Sequence, residues 1–138
     1  MYNIIYISTS SQFFDDYTLA SILEASRENN KQVNVTGILL YADGTFLQVL
    51  EGEKEDVEYI FNKIICDFRH SNIIELVKGP VKNRIFVEWA MGFASANADV
   101  LQEFEGYVNP AELRFISDES HTAAMILLQS FVQNNRMN

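Results

Sequence analysis

The sequence predicts an α+β fold, with helices laid on a largely antiparallel sheet, and three observations predict it. Asp43-Gly44 lies between two apolar, partly β-branched runs. That is a strong hairpin signal, because a two-residue turn there needs φ > 0 and glycine supplies it. Two stretches, about residues 16–30 and about 53–68, repeat apolar residues at helical spacing. Strand-like and helical stretches follow one another as β-α-β-β-α-β-β.

Tyr2 to Ser8 alternates as a first strand, with Tyr2, Ile4, Tyr6 and Ser8 on one side and Ile5 and Ile7 on the other. A Ser/Thr/Gln run at 8–12 reads as a loop, and Asp15 or Asp16 as the N-cap of the first helix. The stripe of that helix is Leu19, Ile22 and Leu23, and it continues onto Ser26 and Asn30, so the face expected to be buried turns polar at its C-terminal end. A helix end in solvent gives the same pattern, and spacing alone does not separate the two.

In the second hairpin strand Phe46, Gln48 and Leu50 share one face while Leu47 and Val49 share the other. Both faces are apolar, so the Gln48 amide needs buried partners; leaving it unpaired costs about 1–3 kcal/mol. After Gly52 the second helix opens on acidic residues that suit the positive end of its dipole. Its core stripe is expected to be Val57, Ile60, Phe61, Ile64 and Phe68, flanked by Lys63, Asp67 and His70. That flank by itself reads as a solvated edge with an i,i+4 Lys63–Asp67 pair. Residues 72–80 form another predicted strand, and Ile85 to Phe93 a further one with Val87, Trp89, Met91 and Phe93 on one face. Helical pieces are predicted at about 97–105 and 119–133, the second with a stripe through Ala124, Leu127, Leu128 and Phe131.

This order is that of a ferredoxin-like split βαβ unit with an added strand. Two helices are expected on one sheet face and the C-terminal helices on the other, which explains a hairpin that is apolar on both sides.

A chain of 138 residues is expected to form one domain with a substantial core, and its 48% apolar and 21% charged content is ordinary for a globular protein. The formal charge of −9 argues against nucleic acid and anionic membrane surfaces as partners. No apolar run is long enough to span a bilayer and no signal peptide pattern opens the chain. Cys66 stands alone, so no internal disulfide forms; a cytoplasmic location fits.

Catalytic signatures are missing. There is no Walker loop and no G-x-G-x-x-G. His70 and His121 are not spaced as metal ligands, so no metal is expected. Cys66 and His70 sit i,i+4 on the predicted helix, but no electropositive cluster activates the thiol, and an inert cysteine is the better reading. An acylphosphatase-type site needs an arginine after the first strand, and Ser8 to Phe14 supplies none. What remains is a set of neutral hydrogen-bonding or polarisable groups on apolar faces: Tyr6, Asn30, Gln48, Trp89 and Met91. Such a layer suits a flat heteroaromatic ligand with donor and acceptor edges.

Six blocks resemble one known family, the BLUF domains, blue-light sensors that use flavin. They are Ile-Ile-Tyr-Ile-Ser at 4–8, Ser-Arg-Glu-Asn-Asn at 26–30, Val-Thr-Gly-Ile-Leu-Leu-Tyr at 35–41, Phe-Leu-Gln-Val-Leu-Glu-Gly at 46–52, Asp-Phe-Arg-His at 67–70 and Trp-Ala-Met-Gly-Phe at 89–93. The resemblance implies a flavin-binding domain over residues 1–96, a C-terminal helical extension over 97–138 packed on it, and FAD (or FMN) held non-covalently between the two helices. It implies that Tyr6 is the photoactive tyrosine and Gln48 the switching amide, with Trp89 and Met91 as the strand-five pair linked to signalling. Asn29 and Asn30 would hold one ring edge. Asp67, Arg69 and His70 would hold the other edge and the ribityl end, and Ser26, Ile22 and Ile64 would line the ring. Phe46 and Leu50 share the face of Gln48 and are counted with them. Lys63 stands where the family often has arginine, and Ala90 where a hydroxylic residue is frequent.

The implied activity is photoreception and not enzymatic turnover. Excited flavin takes an electron and then a proton from Tyr6. Gln48 reverses its donor and acceptor ends, and the altered hydrogen bonds give a red-shifted signalling state that changes contacts with a downstream signalling protein. Homo-oligomers are expected. The alternative is a light-independent ferredoxin-like interaction module.

Overall fold

The computed structural model describes residues 1–12, 14–87, 90–95, 107–108 and 123–135. In chain order they form β1 (Tyr2–Ser10), α1 (Asp16–Gln32), β2 (Thr36–Ala42), β3 (Thr45–Gly52), α2 (Lys54–Ile65), β4 (His70–Pro80), β5 (Gly92–Ser95) and α3 (Ala123–Asn134). The strands make one sheet in the order β4-β1-β3-β2-β5, antiparallel except where β5 lies parallel to β2. This is the ferredoxin-like α+β arrangement that the element order predicts.

The hairpin turns as its sequence demands. Asp43 and Gly44 both have positive φ, 49° and 79°, and Ala42 pairs with Thr45 across them, a type I′ turn whose twist matches that of the strands. Gly37 has a different role: a Cβ there would lie 1.8 Å from the Val49 carbonyl oxygen, so only glycine lets β2 approach β3 at that point. Asp15 caps α1 by accepting from the Thr18 N–H at 2.7 Å.

Alternation along the strands builds two cores, one on each face of the sheet. On one face Ile4, Tyr6, Leu39, Phe46 and Leu50 pack under Leu19 and Leu23 of α1 and Val57, Ile60 and Phe61 of α2. On the other, Ile5, Ile38, Leu40, Leu47 and Val49 pack under Ala124, Met125, Leu128 and Val132 of α3. Leu127 and Phe131, expected on the buried stripe of α3, are only partly buried against it.

Three local expectations are corrected. Helix α2 stops at Ile65, not near Phe68, so Cys66 and His70 are not one turn apart on a helix. The chain turns at 66–69 because Ser11 draws it toward β1: its N–H donates to the Arg69 carbonyl and its hydroxyl to the Phe68 carbonyl at 2.6 Å. Phe68, expected in the core stripe, is 93% exposed. The Lys63–Asp67 pair does not form; Lys63 lies over the Tyr59 ring, and Asp67 pairs with Arg69. Finally, the strand predicted over Ile85–Phe93 is confined to Gly92–Ser95, with Phe86 buried and Val87 exposed. Ahead of it the N–H groups of Ile85 and Phe86 bond to the Glu51 carboxylate, not to a strand. Trp89, His121 and the helix predicted at about 97–105 lie outside the described residues, as does most of 97–138.

Candidate functional site

The register of β1 on β3 sets Tyr6 directly opposite Gln48, and that of β2 on β3 sets Leu39 on its other side. Side chains facing the same way across neighbouring strands meet. The Tyr6 hydroxyl therefore donates to Gln48 Oε1, and Gln48 Nε2 donates to Met91 Sδ at 3.3 Å. A thioether sulfur only accepts, so the amide nitrogen must face it and the oxygen is left for the phenol. Reversing the amide would set oxygen against sulfur, two acceptors, so the two arrangements are distinct in energy. Gln48 is 3% exposed, which keeps water from blurring that difference.

Above this layer, between α1 and α2, lies a small cavity of about 50 Å³. Its walls are apolar: Ile22 from α1, Leu39 and Phe46 from the sheet, and Ile64 from α2. Its polar groups are Tyr6 and Gln48 on the floor, Ser26 on α1, and Asp67, Arg69 and His70 along the turn that leads into β4.

Each of the last three is held. His70 Nε2 donates to the Ile64 carbonyl at 2.7 Å, which leaves Nδ1, 2.8 Å from Ser8 Oγ, to accept from that hydroxyl in the neutral ring. The ring stands edge-on to both Tyr6 and Phe46. Asp67 and Arg69 form a fork, with Nε at 2.9 Å and a terminal nitrogen at 2.5 Å from the carboxylate. Hydrogen bonding from Arg69 holds the Asp67 carboxyl below the usual carboxylate range. Tyr6 is shifted the other way: burial, and then the charge of Asp67, push its phenol well above 10.0, so it stays protonated.

Asn30 settles what spacing left open. It is 1% exposed, and its Nδ2 donates to the Ala90 carbonyl at 2.8 Å, so the polar end of α1 is buried and not a solvated helix end. Leu50 lies in the core beneath α1 and α2, Asn29 is exposed, and Lys63 points outward; with Asn30 and Met91, they do not line the cavity. Leu39 and Ser8 are contacts that reading along the chain passes over. Both become visible once the β2–β3 and β1–β4 registers are known.

A family model described as "Sensors of blue-light using FAD" matches residues 1–92. Among curated relatives, the photoactivated adenylate cyclase subunit alpha of Euglena gracilis is 42% identical over 73 residues, covering 53% of this chain and 7% of that protein. Among solved structures, Klebsiella pneumoniae BlrP1 with FMN and cyclic diGMP superposes at a TM-score of 0.79 and 25% identity, covering 96% of this chain and 34% of that one. The BlsA ground state superposes at 0.67 and 29% identity, covering 97% of this chain and 86% of that one. The chain thus spans a small part of the cyclase, about a third of BlrP1 and most of BlsA.

Proposed function

Because the chain belongs to the BLUF family, sensors of blue light using FAD, we propose that its photochemical switch is Gln48, worked by Tyr6 and read by Met91. Family membership makes it a flavin-binding sensor module. The lining of the cavity suits that ligand chemically: apolar walls for a flat ring system and a polar edge of Ser26, Asp67, Arg69 and His70. When bound, FAD supplies blue-light absorption and, once excited, an electron-accepting centre.

Everything else belongs to the chain. Asp67, Arg69 and His70 would hold one polar edge and the ribityl end, and Ile22, Ser26, Phe46 and Ile64 would enclose the ring; Asn30 and Leu50 support that layer from behind, and Asn29 and Lys63 stay outside it. Tyr6 keeps its proton in the dark because burial disfavours the phenolate. On losing an electron the phenol would become strongly acidic, and its proton has one path, along the hydrogen bond to Gln48 Oε1. Electron and proton then return to Tyr6, which regains its O–H, and Gln48 is left with its donor and acceptor ends reversed and its bond to Met91 given up. The observation that carries this reading is the chain Tyr6–Gln48–Met91, in which one amide joins a donor to an acceptor inside a dry layer.

The same strand gives the signal a route. Leu47 and Val49 flank Gln48 in sequence and lie under α3 on the far face, so a shift of β3 alters the seating of that helix. The proposed output is a changed contact with a downstream signalling protein, made by a cytoplasmic homo-oligomer whose domain 1–96 carries an extension over 97–138. Purified protein is expected to be yellow, with an absorption band that moves to the red under blue light and returns in the dark. Protein that stays colourless after FAD is added contradicts the reading and favours a light-independent interaction module.

A further inference from the structure

Glu51 is 1% exposed, yet it is a carboxylate on the apolar far face of β3. Its Oε1 and Oε2 accept from the Ile85 N–H at 3.0 and 2.9 Å, and Oε1 also accepts from the Phe86 N–H at 2.8 Å. Arg84 closes the same clamp. Its guanidinium donates to Thr36 Oγ1 at 3.0 Å, to the Glu51 carbonyl at 3.4 Å and to the Asn34 carbonyl at 2.7 Å. Residues 84–86 are thereby tied to the ends of β2 and β3. From Gly92 onward the chain is tied again, by the ladder to β2 that begins at Ile38. Met91 lies between these anchors, with its sulfur on Gln48.

We propose that Glu51, with Arg84, is a positioning residue for the switch: by anchoring Ile85 and Phe86 it holds Met91 Sδ on Gln48 and so sets how long the light-adapted state lasts. This rests on the photoreceptor reading above. One strand, β3, carries both the amide that reverses and the carboxylate that fixes its competing partner, three residues apart and on opposite faces. To return, the amide must displace a neighbour that is held from both ends. A looser segment yields more easily and lowers that barrier.

Glu51→Gln tests this with little change of shape. The glutamine oxygen in the Oε1 place can still accept from both N–H groups, but its NH₂ in the Oε2 place then faces the Ile85 N–H, donor against donor. Recovery in the dark is expected to quicken by about threefold to tenfold, the scale of losing one ordinary hydrogen bond. In the dark-adapted protein the methyl NMR signal of Met91 is expected to broaden or move. Acid should reproduce the effect in the parent and not in Glu51→Gln. Burial raises the Glu51 carboxyl above its usual 4.5 against the pull of the two N–H groups and Arg84, so the quickening should set in above that pH. Arg84 is the charged group facing it; β1 presents Asn3, β2 presents Thr36, and α3 holds no ionisable side chain.

Arg84→Gln, at the more accessible end of the clamp, should shift recovery the same way and carries the decision if Glu51→Gln does not retain flavin. Asp15→Ala, which removes the N-cap of α1, is the control, lowering stability without quickening recovery. A parent with no light-induced red shift overturns the photoreceptor reading itself. A normal red shift, with recovery, its pH profile and the Met91 signal unchanged in the clamp variants, overturns this proposal alone.

Discussion

Tyr6 and Gln48 owe their contact to register and their chemistry to dryness. Opposed on β1 and β3, they meet on a face roofed by α1 and α2, with Phe61 and His70 packed against the phenol. Burial raises the phenol's pKa, and this has a consequence for stability with a definite sign. A tyrosine whose folded pKa is raised supports the fold fully below the unfolded value, near 10, and loses that support as pH rises toward the folded one. Denaturant unfolding of the parent and of Tyr6→Phe should therefore diverge above about pH 10. The parent is expected to lose more stability there, while the remaining tyrosines cancel in the comparison. Parallel curves would mean that Tyr6 titrates as if exposed.

At the scale of elements, the strands explain what was legible in the sequence and what was not. Asp43-Gly44 and the alternation on either side of it specify the hairpin, its turn type and the face that Gln48 takes, because turn geometry and period-two burial are local constraints. The end of α2 is not local: Phe68 continues the apolar spacing, but Ser11, 57 residues away, captures its carbonyl and turns the chain. Likewise Ile85 to Met91 alternates like a strand, yet Glu51 takes the N–H groups of Ile85 and Phe86 from 34 and 35 residues away. Leu39 entered the site only through the β2–β3 register. Spacing exposes the period of an element and is silent on which distant group ends it. Gly37 belongs to the same class. Its need for glycine comes from the Val49 carbonyl across the hairpin, so Gly37→Ala should push the strands apart at the centre of the sheet. A loss of more than about 3 kcal/mol is expected in chemical denaturation, well beyond an ordinary substitution. A loss near 1 kcal/mol would mean that β2 and β3 separate easily.

For the whole molecule, one sheet serves two cores, and β3, like β1 and β2 beside it, gives side chains to both. The cavity lies over one face and α3 over the other, so the proposed rearrangement at Gln48 would reach α3 through the thickness of one strand. Among the described residues no helix is long and apolar enough to cross a membrane. A partner equilibrium reversed from 1:99 to 99:1 needs about 5.5 kcal/mol of differential affinity. A few hydrogen bonds near one amide cover part of that, and a repacked α3 is the nearest source of the remainder. The central claim is narrower than the output and can be read in one cuvette. The light-minus-dark absorption spectrum of Tyr6→Phe, loaded with FAD, tests it most directly. The account expects normal flavin binding with no lasting red shift, because the phenylalanine ring has no proton to pass to Gln48. A reversible red shift of the parent's size and lifetime in Tyr6→Phe would contradict it.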